Sequence, residues 1–276
     1  MSSSLLERGE RFRALHHRSD VFVIANAWDG ASARILESLG FEAIATSSGA
    51  AAATFGRLDG KLTREEALAH SRIVAGATSR PVSADLEKGF GDGPEAVAET
   101  IRLAAEAGLV GCSIEDSTRN AASPIYDIGL ATERIAAAAE AARALPFPFT
   151  LTARSENFLH GKPDLDDTIR RLLAFERAGA DVLFAPGLPD IAAVRAVCSV
   201  VAKPVNFMAG ITGKSFTVAE LAEAGVKRVS LATSLYRAAL TGLTTAAREV
   251  REAGTFTYLD HILATPDLNA FLNRNS

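Results

Sequence analysis

The chain is poor in sulfur and in large aromatics, and it carries no strong charge bias. Its 276 residues include 2 cysteines, 2 methionines, 1 tryptophan and 3 tyrosines. Cys112 and Cys198 are too few for a disulfide framework at this length, and no His/Cys spacing of the zinc type occurs. The net charge of −4 leaves no basic footprint for nucleic acid, and the acidic excess is too slight to point to a cationic partner. No apolar run reaches the ~18 residues of a membrane span. The opening MSSSLLERGERFR is charged early and lacks the apolar core of a secretory signal. The expectation is a soluble, reduced, cytoplasmic protein without membrane or nucleic-acid partners.

Alanine, by contrast, is abundant, at 52 residues. With 48% hydrophobic and 22% charged residues, the composition excludes disorder and collagen and favours small-faced helices packed closely on another layer. Length alone allows two domains, but one α/β barrel needs about 250 residues.

A recurring unit decides between these. A helix-like segment ends in glycine just before a β-rich run in LESLG-FEAIATSS, AAEAG-LVGCSIED, FERAG-ADVLFAPG and LAEAG-VKRVSLAT. Gly40, Gly108, Gly179 and Gly225 stand where a helix C-cap needs a left-handed residue. The spacings resolve into units of about 35 residues, the size of one strand, one helix and their loops. Eight strands are predicted at 21–25, 43–46, 81–84, 110–114, 149–153, 182–185, 204–207 and 228–231, each short and apolar or β-branched. Helices are predicted at 31–39, 64–77, 94–107, 131–145, 165–178, 189–200, 218–224 and 234–253. Thr63 reads as an N-cap, and Pro94 and Pro189 as first helical residues. A leading helix near 5–16 and a tail near 259–273 fall outside the count. The pattern predicts a single (β/α)8 TIM-type barrel over 1–276, with a doubly wound open sheet as the alternative.

In such barrels the chemistry lies at the carboxyl ends of the strands. Strand three is followed by Asp85 and Glu87, and strand four by Glu115 and Asp116. Clustered carboxylates suit a hard divalent cation such as Mg²⁺, although Asp116 alone reads as an N-cap or loop solvator. Arg154 ends strand five, where its planar fork can meet a substrate carboxylate. Ser47, Ser48 and Gly49 after strand two offer donors to an oxyanion. Trp28 after strand one and Asn206 in strand seven are further substrate-binding candidates. Gly213 and Lys214, in AGITGKS, read as an anion-binding or merely solvated loop.

The same residues carry a family resemblance. SADLEKGFG at 83–91 resembles the D-x-D-x-G-[YF]-G signature of the isocitrate lyase/phosphoenolpyruvate mutase superfamily. SIEDS at 113–117, LTARSENF at 151–158, TSSGA at 46–50 and GRLDG at 56–60 resemble further motifs of that superfamily, in the same order. The resemblance implies a barrel whose eighth helix is exchanged between subunits of a homodimer or homotetramer. It implies Mg²⁺ or Mn²⁺ near Asp85, with Glu87, Glu115 and Asp59 acting directly or through water. Ser47, Ser48 and Gly49 would hold a carboxylate or enolate oxygen, and Arg154 would orient the leaving portion.

Departures from the family pattern narrow the chemistry. The loop after strand four reads STRNAASPIYD, without the Cys and His that family lyases carry there. Cys112 lies in the strand itself and reads as a small buried hydrophobe. The signature's first aspartate is Ser83, and two extra residues precede Gly89. Asn120 is a candidate phosphoryl contact in a changed setting, and Tyr126, or water, is the candidate proton donor. The expected activity is C–C cleavage of a small α-keto or 2-hydroxy carboxylate through a metal-stabilised pyruvate-type enolate. The alternatives are phosphonomutase or phosphonopyruvate hydrolase chemistry, or a keto-acid-binding protein without turnover.

Overall fold

A computed structural model describes residues 4–213 and 216–273; Lys214 lies outside them. Eight parallel strands close into a barrel in chain order: β1 Phe22–Asn26, β2 Ile44–Ala45, β3 Val82–Asp85, β4 Gly111–Glu115, β5 Thr150–Arg154, β6 Val182–Phe184, β7 Val205–Met208 and β8 Arg228–Ser230. β8 pairs with β1 from Phe22↔Arg228 to Ile24↔Ser230 and shuts the ring, which excludes the open sheet. The predicted strands agree within two residues. The four unit-ending glycines have φ of +91°, +89°, +105° and +97°, the left-handed conformation that the repeat required.

The helices are α1 Leu5–His17, α2 Gly30–Ser38, α3 Ser48–Thr54, α4 Arg64–Ala77, α5 Pro94–Glu106, α6 Ile128–Arg143, α7 Leu165–Ala178, α8 Ile191–Val200, α9 Val218–Glu223, α10 Ser234–Ala253 and α11 Thr265–Leu272. Thr63 caps α4 in a reciprocal box with Glu66, and Pro94 opens α5. Pro189 does not open α8. Asp190 is its N-cap, accepting from the Ala193 amide at 2.8 Å, so the helix starts at Ile191. α3 is not among the predicted helices; it is seven residues long, too short for a periodic signal.

The strands are not apolar on both faces. One alternate set, including Ala84, Cys112, Ile114, Leu151, Ala153 and Leu183, is at most 2% exposed and packs with the helices. The other set includes Ser83, Asp85, Ser113, Arg154, Asn206 and Arg228 and lines a cavity inside the barrel. This is the inward and outward alternation of a barrel, with polar groups on the inside. The alanines have their place in the helix layer: Ala104 and Ala105 of α5 and Ala138, Ala139 and Ala142 of α6 are buried, and these two helices pack closely.

α1 plugs the amino-terminal end of the barrel. Phe12, His16 and Phe22 stack edge to face, with ring centroids 4.8–6.5 Å apart. Gly111 permits this approach, because a Cβ there would lie 2.8 Å from the Phe12 ring and from the Thr150 carbonyl oxygen. α10, although 20 residues long, has no buried residue, and neither has α11. The chain after it returns to α2, where Arg34 Nη1 donates to the Leu272 carbonyl at 2.6 Å. Among the described residues no helix is long and apolar enough to cross a membrane.

Candidate active site

Asp85 ends β3 and is the hub of the carboxyl rim. Its Oδ2 accepts from Ser48 Oγ at 2.9 Å and the Ser48 amide at 3.3 Å. Its Oδ1 accepts from Arg154 Nη1 at 3.0 Å and the Glu87 amide at 3.2 Å. Burial alone would raise its pKa, but Arg154 and these donors outweigh burial and hold it below the usual carboxylate range.

Arg154 meets a carboxylate with each of its three nitrogens. Nε and Nη2 both lie 2.9 Å from Glu156 Oε1, and Nη1 lies 3.5 Å from Glu115 Oε2 as well as against Asp85. Its guanidinium carbon sits 5.1 Å from the centre of the Phe184 ring. Burial opposes its charge, yet Glu156, Asp85 and Glu115 hold it protonated.

A second arginine enters from the loop after β4. Arg119 Nη2 lies 3.1 Å from Glu115 Oε1 and 3.2 Å from Glu87 Oε2, and Nη1 lies 3.7 Å from Asp59 Oδ2. Gly60 makes room, since a Cβ there would meet Arg119 Nη1 at 3.0 Å. Glu87 and Arg119 both adopt left-handed backbone, with φ of +51° and +61°. That conformation costs a non-glycine residue about 1–2 kcal/mol, so the surrounding contacts must hold it. Burial pushes the Glu87 pKa up to about 7 against the pull of Arg119. Burial also drives Glu115 well above its usual range, with Glu156 and Asp85 adding to the rise and Arg154 and Arg119 opposing it.

These oxygens are the candidate ligands for Mg²⁺ or Mn²⁺. The donors are all carboxylates, as a hard ion prefers, and Asp59, Asp85, Glu87 and Glu115 share two guanidinium groups, those of Arg119 and Arg154. Among the described residues no three carboxyl, imidazole or thiol groups converge on one point. An ion held by this set would have to keep several waters and take few protein ligands, as Mg²⁺ can.

A cavity of about 200 Å³ opens beside this cluster, with Ser47, Gly49, Asp59, Asp85 and Thr233 among its lining residues. Gly49 allows the close approach of its neighbours: a Cβ there would lie 3.2 Å from Thr233 Cγ2 and 3.6 Å from Asp59 Cγ. A larger cavity of about 440 Å³ lies between α1, α6 and the amino ends of β5–β7, away from the rim that carries chemistry in barrels.

Residues 12–251 match the family model for phosphoenolpyruvate phosphomutase. The chain belongs to this family. A candidate lyase/mutase from Burkholderia cenocepacia J2315 has a crystal structure that covers 99% of the chain and 98% of its own, at 51% identity and a TM-score of 0.96. An uncharacterized Mycobacterium tuberculosis H37Rv protein is 34% identical over 242 residues, 87% of this chain and 89% of its own. The 2-methylisocitrate lyase of Escherichia coli K12 is 30% identical over 245 residues, 85% of this chain and 81% of its own. Relatives in the phosphomutase family are thus lyases and mutases.

The family barrel brings together Asp59, Asp85, Glu87, Glu115, Arg154 and the Ser47–Gly49 turn. It places other candidates elsewhere. Tyr126 does not line the cavity; its hydroxyl donates to Asp92, and its ring lies under the Arg134 guanidinium at 4.4 Å. The Asn120 amide oxygen is turned into its own loop, accepting from the Ala122 amide at 3.0 Å. Trp28 packs edge-on against Tyr236 at the root of α10, 5.4 Å between centroids. Ser48 and Asn206 both line the cavity, Ser48 with its hydroxyl donating to Asp85. Asp116 is no loop solvator: it is buried, accepting from the Glu156 amide at 2.8 Å and pairing with Arg171 at 3.0 Å. Cys112 is fully buried, and burial pushes its thiol pKa up, far from reactivity.

Two arginines were overlooked. Arg119 is the one cation in STRNAAS, a loop that drew attention for what it lacked. Arg228 is a charge at the start of a short barrel strand, RVS, and that position was its signal.

Proposed function

We propose that the protein is a carbon–carbon lyase of this family acting on a small α-keto or 2-hydroxy carboxylate. The observation that carries the reading is the rim cluster of Asp59, Asp85, Glu87 and Glu115 beside a cavity of metabolite size. Asp85 would hold Mg²⁺ or Mn²⁺, with Asp59, Glu87 and Glu115 as further oxygen donors. The ion would supply Lewis acidity toward a keto or hydroxyl oxygen of the substrate.

The chain's own residues do the rest. The Gly49 amide stands in the first turn of α3, where N–H groups lack intrahelical acceptors, and it is assigned a carboxylate or enolate oxygen. Arg154 positions Asp85, Glu115 and Glu156 rather than gripping the substrate, because its charge is already met by these three carboxylates. No cysteine, histidine or tyrosine is among the cavity-lining residues described, so water is assigned as proton donor to the enolate carbon. The Asn120 geometry gives no support to phosphoryl contact, which favours C–C over P–C cleavage.

The same lack of a proton-transfer side chain favours one second reading, a keto-acid-binding protein without turnover. Pyruvate release from oxaloacetate, 2-methylisocitrate and phosphonopyruvate, with Mg²⁺ and with EDTA, separates the readings. Turnover that survives both EDTA and Asp85→Ala would sink the metal-assisted mechanism. Mg²⁺-dependent keto-acid binding with no turnover across the panel would assign the binding role.

We also infer a homodimer or homotetramer assembled through α10. Leu240 and Leu243 on that helix, and Phe256, Leu259, Ile262 and Leu263 after it, are all exposed in the single chain.

A further inference from the structure

Arg228 opens β8 and is buried, at 5% exposure. Its Nε donates to Asn206 Oδ1 at 2.7 Å, and its Nη2 to Thr152 Oγ1 at 3.0 Å. Its Nη1 lies 3.3 Å from His16 Nε2. All three partners are neutral. The His16 pKa is pulled down to about 3, first by burial and then by Arg228, and His16 Nδ1 donates to the Phe12 carbonyl at 2.8 Å. The Nε2 lone pair is therefore left to accept from Arg228. No carboxylate lies within ion-pair distance of Arg228 among the described residues, and burial lowers its pKa to about 9.

The other arginines of this region are matched: Arg154 by Asp85, Glu115 and Glu156, Arg119 by Asp59, Glu87 and Glu115, and Arg171 by Asp116 and Asp167. An unmatched buried charge is strongly unfavourable, and Arg228 uses only three of its five N–H donors. It also lines the floor of the 200 Å³ cavity whose mouth holds Asp59 and Asp85. The cavity is thus acidic at the mouth and cationic at the floor.

We propose that Arg228 is a specificity-determining residue that receives a second carboxylate, so that the cavity selects dicarboxylates over monocarboxylates. This rests on the reading of the cavity as a keto- or hydroxy-acid site. The reacting end of the ligand lies toward the Asp85 rim, and the distal carboxylate reaches down to the two unused N–H groups. Asn206 and Thr152 fix the guanidinium plane. A charge-assisted pair formed in a dry cavity is strong, because the desolvation of Arg228 has already been met in folding.

Malate and 2-hydroxybutyrate differ at the distal end only by carboxylate against methyl. Calorimetric titration with Mg²⁺ present is expected to show malate binding at least tenfold tighter to the wild type. Arg228→Met should lower malate affinity about tenfold and leave 2-hydroxybutyrate within twofold. Asn206→Asp gives Arg228 an internal carboxylate without opening a hole. It should preserve thermal stability and still abolish the malate preference, a result that a purely structural Arg228 does not predict. This variant decides the matter if Arg228→Met fails to fold. Equal binding of the two acids by wild type, or a malate preference that survives Asn206→Asp, overturns the assignment of Arg228 alone. Binding of neither acid to wild type overturns the functional reading and this inference with it.

Discussion

Arg119 and Glu115 form an ion pair at the carboxyl rim, Nη2 to Oε1 at 3.1 Å, in the loop that in this chain has neither cysteine nor histidine. The same guanidinium reaches Glu87 and Asp59, so an internal cation stands among the oxygens assigned to a divalent ion. Two cations that share acceptors compete. Replacing Arg119 by glutamine should tighten Mn²⁺ binding about tenfold, or ~1.4 kcal/mol, as read by the loss of free-ion EPR signal. Unchanged or weaker Mn²⁺ binding would show that Arg119 does not compete with the metal.

The buried pair Asp116–Arg171 ties the end of β4 to α7, and Arg171 Nη1 also donates to the Tyr126 carbonyl at 2.9 Å. Removing one partner leaves a buried charge behind, which typically costs about 3–5 kcal/mol. Arg171→Met is expected to lose that much in denaturant unfolding at pH 8. Burial already lifts the Asp116 pKa to about 6 despite Arg171, so the orphaned carboxyl should neutralise readily and the loss should shrink at pH 5. A double replacement, Asp116→Leu with Arg171→Met, should recover most of the stability. If it is no more stable than the single variant, the pair is not the source of the loss.

His16 gives the fold a pH dependence of opposite kind. It is neutral in the folded protein, with a pKa near 3 against 6.5 for an ordinary histidine. Between these values the unfolded chain binds a proton that the folded chain refuses. The stability from His16 is therefore complete above pH 6.5 and is lost as pH falls from there toward 3. His16→Gln should flatten unfolding free energy against pH in that window by up to about 1.4 kcal/mol per pH unit. Parallel profiles for wild type and variant would mean that His16 takes up its proton without unfolding.

The barrel was legible because its signals are local. Gly40, Gly108, Gly179 and Gly225 mark helix ends through a conformation that other residues avoid, and the short apolar strands follow at once. The acids at strand ends were legible for the same reason, since topology alone sends Asp85, Glu115 and Arg154 to one rim. Side-chain direction was not. Tyr126 sits in the right loop, yet its hydroxyl turns to Asp92, a partner 34 residues away that no local pattern reveals. Arg119 meets Asp59 and Glu87 only because three separate loops converge, and Arg228 meets His16 only because α1 plugs the barrel. Such pairings are set by tertiary packing, and the spacing along the chain does not contain them.

The exposed α10 makes a prediction about assembly. Leu243 is 62% exposed and Leu240 38%, on a helix of 20 residues that buries none of them within its own chain. A helix so amphipathic and so unburied gains most of its stability from packing its apolar face against something else. Leu243→Glu should place a charge in that contact and convert the assembly to monomer in light scattering coupled to size exclusion. The circular dichroism of the barrel should be little changed, because Leu243 is exposed and α10 touches the core of its own chain only near its start, through Leu235. Wild type that is already monomeric at micromolar concentration, or a variant that assembles as wild type does, would remove α10 from the interface.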